Sequence, residues 1–123
     1  MFHPRRAETT DTYTCPSDAT VGDLVYVSGE DEVGRANASS ELTMGIIGLV
    51  ATKPTATTCT VTALNSIGGY SGLIPGRAYY ASAVTDGAFS SVPPTATGHI
   101  VQKIGFARST SVLVIQIGCP FIL

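Results

Sequence analysis

Two short stretches decide the fold of this chain: GDLVYVS at residues 22–28 and GRAYYAS at residues 76–82. Each begins with a glycine and continues with β-branched, aromatic and small residues, a composition typical of a strand that follows a turn. Further along each half a second match occurs, between IGLV at residues 47–50 and IGFA at residues 104–107. The matched segments lie about 55 residues apart, which predicts an internal duplication.

Short apolar runs separated by turn residues continue through both halves, as in all-β proteins. Eight segments are predicted to be strands: residues 24–28, 33–37, 45–51, 58–63, 77–82, 89–92, 100–108 and 111–117. Four strands cannot cover their own apolar face, so the two similar four-strand halves should close on each other. The sequence therefore predicts an all-β fold, a compact sandwich or small barrel of about eight strands.

Three segments are expected along the chain. They are an extended N-terminal arm (1–20), a single β domain (21–118, with pseudo-repeats at about 21–65 and 75–118) and an apolar C-terminal tail (119–123). The arm has no period of 2 or 3.6, which indicates that it buries no face. Exposed apolar termini usually have a surface on which they dock. The candidate capsid or subunit contacts are therefore Phe2, His3, Arg5 and Arg6 in the arm, and Phe121, Ile122 and Leu123 in the tail.

Composition and charge exclude two classes of partner. Only 13% of the 123 residues are charged, the net charge is −2, and the seven Lys and Arg residues are scattered. No basic face is available to neutralise phosphates, so we expect no nucleic-acid partner. The longest apolar stretches, residues 44–51 and 112–123, are shorter than the roughly 20 residues that span a bilayer, so we expect no membrane partner.

Cys15, Cys59 and Cys119 are odd in number and widely spaced, with no C-x-x-C pair. Residues 7–14 are polar where an export signal needs an apolar stretch, so we expect synthesis in a cytoplasm. These features predict three reduced, mostly buried thiols. Cys59 should react most slowly, because it lies on the apolar row of its strand.

No pattern in the sequence indicates a catalytic or metal site. Glu30, Asp31 and Glu32 lack the spacing of a calcium loop and predict a solvated hairpin turn. His3 and His99 have no partner at metal-ligand spacing, and no serine lies in a G-x-S-x-G motif. We therefore expect no enzymatic activity, no catalytic residues, no metal and no cofactor.

Three tyrosines, Tyr26, Tyr79 and Tyr80, allow two interpretations. They could form a platform on which a sugar stacks. Aromatic residues on strands are, however, more often core residues or cross-strand partners.

The second half of the chain resembles a β module of tailed-bacteriophage virion proteins. The similarity covers about the last 50 residues, through residues 72–82, 86–89 and 98–107. Its motif is a Pro-Gly turn, a Tyr pair and a glycine in an apolar strand, and it contains no catalytic residue. Such modules occur at the outer ends of phage fibre proteins, and small β proteins of similar pattern are head decoration, or cement, proteins.

The resemblance implies a non-enzymatic virion structural protein, made in the host cytoplasm and located on the outer head surface. Because the chain offers a short arm and one β body but no shaft, we expect a capsid decoration protein that binds and stabilises the shell. Its partner would be the major capsid protein, and the resemblance implies a homo-oligomer, a trimer. The alternative is a receptor- or glycan-binding module of a phage tail or head fibre. A third interpretation is a host β-sandwich binding domain.

Overall fold

The computed structural model describes residues 10–63 and 66–123, and nearly all its regular structure is strand. Within these residues, twelve strands lie in two five-stranded sheets and one two-stranded sheet. The predicted all-β class is confirmed. In chain order the elements are β1 (Thr10–Thr14), β2 (Leu24–Gly29), β3 (Glu32–Arg35), a 3-10 turn (Glu41–Thr43), β4 (Ile46–Thr55), β5 (Thr58–Thr62), β6 (Ser66–Ile67), β7 (Ala78–Ala81), β8 (Phe89–Ser90), β9 (Ile100–Val101), β10 (Lys103–Ala107), β11 (Leu113–Ile115) and β12 (Phe121–Ile122).

The first five strands form a closed barrel in the order β1-β3-β2-β4-β5. Strand β1 closes it, because it pairs antiparallel with β5 along its whole length. On its other side, Thr14 lies opposite Glu32 of β3 in a parallel pair. The barrel contains a first buried cluster, whose members are Cys15, Ala19, Val25, Val33, Val50, Cys59 and Val61.

The second five-stranded sheet is open, with the order β6-β11-β10-β7-β8. Leu24 and Leu49 lie opposite each other on neighbouring barrel strands, and both belong to a second buried cluster. Successive strand residues point to opposite faces, so these leucines lie on the outside of the barrel while the following valines lie inside. The other members of the second cluster are Ala36, Ala38, Met44, Ile46, Leu73, Tyr79, Ala81, Ile100, Ile104, Ala107, Leu113 and Ile115. The outer face of the barrel thus packs against the open sheet.

The barrel and the open sheet share one connectivity. Strands β2 to β5 pair in the order β3-β2-β4-β5, and β7, β8, β10 and β11 pair in the corresponding order β8-β7-β10-β11. The strand before each set, β1 or β6, pairs antiparallel with the last strand of that set. The central pairs β2–β4 and β7–β10 also carry a register shift at the equivalent place. The predicted construction from two similar halves is confirmed by this pairing order.

Gly48 and Gly105, the glycines of the second sequence match, occupy equivalent positions. Gly48 lies opposite Val25, and Gly105 lies opposite Tyr79. A Cβ atom on Gly48 would collide with the carbonyl oxygen of Thr62, and one on Gly105 with that of Val114. In both units the backbone of the next strand therefore occupies the space that any larger residue would need.

The turn between β7 and β8 joins the two units. The N–H of Gly87 donates to the carbonyl of Ala36 at 2.8 Å, and the N–H of Leu24 donates to the carbonyl of Gly87 at 2.8 Å. Arg35 reinforces the joint, because its Nε donates to Asp23 at 3.0 Å and its Nη2 donates to the carbonyl of Asp86 at 3.1 Å. The backbone of the Asp86–Gly87 turn thus binds the barrel.

Three strands lie outside the eight predicted segments. Strand β1 lies in the predicted arm, β6 in the linker between the halves and β12 in the tail. Cys15 and Ala19 are buried in the barrel, so the interpretation that residues 1–20 bury no face does not apply to this part of the arm. Residues 10–20 belong to the barrel because β1 pairs with β5. The sequence of β1 alone does not reveal this pairing.

Several strands differ in extent from the prediction: the segments predicted over residues 89–92 and 111–117, for example, are strands only over Phe89–Ser90 and Leu113–Ile115. Two other differences have a structural cause. Strand β4 continues through Pro54, although proline has no N–H to donate to a neighbouring strand. Pro54 lies where the pairing with β5 shifts register and beyond the part of β4 that pairs with β2, so the sheet accommodates it. The segment predicted as one strand over residues 100–108 is divided into β9 and β10 at Gln102. The side chain of Gln102 is buried, and its Nε2 donates to the carbonyl of Gly118 at 2.8 Å.

Gly105→Ala should destabilise the fold by about 2 kcal/mol or more, because a Cβ atom there meets rigid backbone rather than a flexible side chain. The free energy of unfolding in urea measures the loss. Gly68→Ala is the matched control, since its nearest atom across the space is a methyl carbon of Val112 at an ordinary 3.8 Å. Equal losses in the two variants would contradict the assignment.

Candidate docking surface

The tail forms a strand whose backbone is paired while its side chains remain in solvent. Phe121 and Ile122 pair antiparallel with Val101 and Ile100 of β9, and the N–H of Leu123 donates to the carbonyl of His99 at 2.9 Å. Phe121, Ile122 and Leu123 are nevertheless 58%, 56% and 40% exposed. We call these three residues the apolar edge. Large apolar side chains held in water by a fixed backbone are typical of a contact surface.

The apolar edge is attached to the core through Gln102. Its side chain binds the carbonyl of Gly118, and the N–H of Gly118 donates to the carbonyl of Lys103 at 2.8 Å. Gln102 also accepts the N–H of Ala81 at its backbone carbonyl, which ties this point to β7. The chain therefore reaches β12 from a fixed position, and the apolar edge has a defined orientation.

A cavity of about 260 Å³ lies beside the apolar edge, between β12 and the 3-10 turn. Leu42 in that turn is 82% exposed, and the hydroxyl of Ser40 caps the turn by accepting the N–H of Leu42 at 3.1 Å. The lining residues are Glu41, Met44, Gly45, Ile100, Pro120, Phe121 and Ile122. The surface thus combines an apolar strand, an apolar depression and one carboxylate.

The predicted contact residues fall into two groups. The arm residues Phe2, His3, Arg5 and Arg6 lie outside the described residues, so their role stays a prediction. The structure brings Phe121, Ile122 and Leu123 together on β12. Sequence reasoning missed Leu42, although the signal was present: a serine that can cap a helical turn, followed by an acid in its first turn.

Other candidate residues have structural surroundings. Glu30 and Asp31 form the turn between β2 and β3, as predicted, and the carbonyl of Asp31 accepts the N–H of Thr14 at 2.9 Å. His99 lies before β9 and lines a cavity of about 490 Å³ together with the exposed Val84 and Val92. Over residues 10–63 and 66–123, no group of three or more His, Cys, Asp or Glu residues is placed to hold a metal ion. In the same ranges, no helix has both the length and the apolar character needed to cross a membrane.

Tyr79 is a core residue. It is 6% exposed, its hydroxyl accepts the N–H of Ile74 at 2.9 Å, and its ring meets that of Phe89 edge to face at 5.5 Å. Tyr26 is half-buried and packs against the second cluster. Tyr80 lies in a cross-strand position opposite Ser90 and Lys103. Of the two interpretations of these tyrosines, the core and cross-strand one describes their surroundings.

An aromatic cleft of about 590 Å³ lies near β6 and β8, the two edge strands of the open sheet. Their counterparts in the first unit, β1 and β3, pair with each other and close the barrel. Tyr70 and Phe89 meet edge to face in it at 5.0 Å. The hydroxyl of Tyr70 donates to the carbonyl of Gly22 at 3.1 Å, so the ring also connects the two units. Burial, with a smaller contribution from the carboxylate of Asp23, raises the pKa of Tyr70 to about 12. The remaining lining residues are Gly69, Ser71, Gly72, Leu73, Ile74, Tyr79, Ser90 and Ser91.

All three cysteines are free, as predicted. Cys119 is exposed, whereas Cys15 and Cys59 are buried together in the barrel. Burial raises the pKa of Cys59 to about 11, a hydrogen bond with the Cys15 side chain adds to the rise, and the charge of Lys53 opposes it. The Cys59 thiol is therefore a poor nucleophile in the closed barrel.

Tyr70→Phe should flatten the alkaline loss of stability. The pKa of Tyr70 is about 12 in the folded protein against a usual 10.0, so the folded state holds this proton more tightly. The resulting stability is fully present below about pH 10 and is lost as the pH rises towards 12. Urea unfolding at several alkaline pH values measures the slope. Tyr80→Phe, which leaves Tyr70 in place, should keep the wild-type slope, and an equal slope in all three proteins would contradict the assignment.

No protein family, no curated protein and no solved structure matches this chain.

Proposed function

We propose that this protein is a non-enzymatic virion structural protein, a capsid decoration protein that binds and stabilises a phage head shell from the outside. The observation that carries the proposal is the apolar edge, which is ordered by β9 yet about half exposed. Burying the exposed part of each side chain against a partner would contribute roughly 1 kcal/mol. The phage setting is supported by the resemblance of residues 72–107 to virion β modules.

In this proposal two parts of the chain make contacts. The apolar edge packs against the major capsid protein or a neighbouring copy within a trimer. The arm residues Phe2, His3, Arg5 and Arg6 bind the shell, and their attachment point is β1, which is paired with β5 over five residues. Because β1 is part of the barrel, contacts between the arm and the shell would be anchored in the folded body.

The double variant Phe121→Ser with Ile122→Ser should bind phage heads about 30-fold more weakly, which corresponds to a loss of about 2 kcal/mol. Sedimentation of the protein with heads that lack it measures binding, and light scattering measures the oligomeric state. Val84→Ser with Val92→Ser is the matched control, because these valines are also exposed but lie beside a different cavity. Equal binding by both double variants would contradict the role of the apolar edge.

Removal of residues 1–9 should leave the barrel folded, because β1 begins at Thr10, and should abolish binding to heads. Removal through Thr10 is a less selective test, since Thr10 pairs with Thr62. Circular dichroism and urea unfolding check the body, and sedimentation checks binding. If neither the arm deletion nor the apolar-edge variant alters binding, the decoration proposal fails and the body must carry the function.

The second candidate function is a receptor- or glycan-binding module of a phage fibre. The aromatic cleft favours it, because Tyr70 and Phe89 lie beside the hydroxyls of Ser71, Ser90 and Ser91. Aromatic rings with nearby hydroxyls suit the apolar faces and hydroxyl groups of a saccharide. A glycan array distinguishes the two functions: saccharide binding that Ser71→Ala and Ser91→Ala weaken would support the fibre module, and a decoration protein should bind none.

A further inference from the structure

Two thiols lie next to each other inside the barrel. Tyr13 of β1 pairs with Cys59 of β5, and the N–H of Cys15 donates to the carbonyl of Thr57 at 2.9 Å. This register puts Cys15 and Cys59 at diagonal positions of one strand pair. They are 4% and 0% exposed and belong to the same buried cluster.

The strand register and the shared buried cluster place the two thiols in the same part of the barrel interior. Cys15 is close enough to Cys59 to contribute to its raised pKa. A disulfide requires a sulfur separation of about 2.05 Å and suitable side-chain torsions. Cys15 lies one residue beyond the end of β1, and its N–H continues the pairing towards β5 by donating to the carbonyl of Thr57.

The chain around Cys15 is held only by non-covalent contacts. Before it, β1 meets β3 at a single residue pair. After it, the Nζ of Lys53 donates to the carbonyls of Pro16, Ser17 and Ala19, at 3.3, 2.7 and 2.6 Å. A covalent bond from Cys15 to Cys59 would close a loop of about 44 residues and fix the strand that completes the barrel.

We propose that Cys15 and Cys59 are an oxidative modification site, at which a small-molecule disulfide such as oxidised glutathione produces an intramolecular disulfide that locks β1 into the barrel. One protein thiolate attacks a glutathione sulfur and releases the first glutathione thiolate. The second protein thiolate then attacks the mixed disulfide and releases the second. The protein gives up two electrons and two protons, and two glutathione thiols are formed. This inference does not rest on the proposed function.

The closed barrel controls when the reaction occurs. Neither thiol reaches solvent while β1 is paired, so β1 must separate briefly from β5 before an oxidant can enter. A reducing cytoplasm keeps the dithiol intact, whereas an oxidising exterior favours the bond. The lock therefore forms slowly, and only under oxidising conditions.

The test uses the folded Cys119→Ser protein, which loses its exposed thiol and keeps the buried pair. Incubation with oxidised glutathione without denaturant should remove both alkylatable thiols and the mass of two hydrogen atoms. Peptide mapping should find residue 15 linked to residue 59. The melting temperature should rise by about 10 °C and return to its starting value after reduction. A Cys119→Ser, Cys59→Ala variant should show no such rise.

Four results would overturn the proposal. They are two thiols that stay alkylatable, a glutathione retained on either cysteine without a link, a link that forms only in denaturant, and a link that leaves the melting temperature unchanged. The decisive measurement uses the intact pair, so the conclusion stands even if the Cys59→Ala control is unstable.

Discussion

The backbone hydrogen bonds of Gly87 hold the barrel and the open sheet together, and the rest of the architecture depends on them. Its N–H reaches Ala36 and its carbonyl accepts from Leu24, both at 2.8 Å. A Cβ atom at this position would lie 2.8 Å from the Cγ of Asp23, and the φ of +73° is itself one that favours glycine. The empty space lets Asp23 lie against the turn and accept from Arg35. One residue thus allows backbone pairing, an ion pair and apolar packing at the same place.

The two units share one connectivity, yet the first is a closed barrel and the second is an open sheet. The barrel closes because β1 reaches β3, and its interior is filled by its own side chains. The open sheet instead covers the leucines on the outside of the barrel. Its core is shared, so the second unit needs the first to bury its apolar face. The two similar units therefore form a dependent pair and not two independent domains.

Much of this fold could be predicted from the sequence, because the strands that form the shared core carry a strong apolar pattern. Strand β1 could not, since its sequence TDTYT has no apolar row and it is a strand because β5 pairs with it. Threonine and tyrosine favour strands, but that propensity is too weak to assign one without a partner. The apolar character of Phe121, Ile122 and Leu123 was recognised from the sequence. Their pairing with β9 was not, because it depends on the break between β9 and β10 at Gln102, and no local sequence pattern predicts that break. Likewise, Cys15 and Cys59 are far apart in sequence, and only the register of β1 reveals that they are neighbours.

The long separation between β1 and β5 also sets the order of events during synthesis. Thr10 pairs with Thr62, so β1 leaves the ribosome well before its partner exists. About 50 residues lie between them, and at roughly 5–20 residues per second the first strand waits several seconds without its ladder. Barrel closure is therefore the late, non-local step that slows the folding of β proteins. A polar, threonine-rich β1 suits that interval, because an apolar strand left unpaired for seconds invites association with other nascent chains.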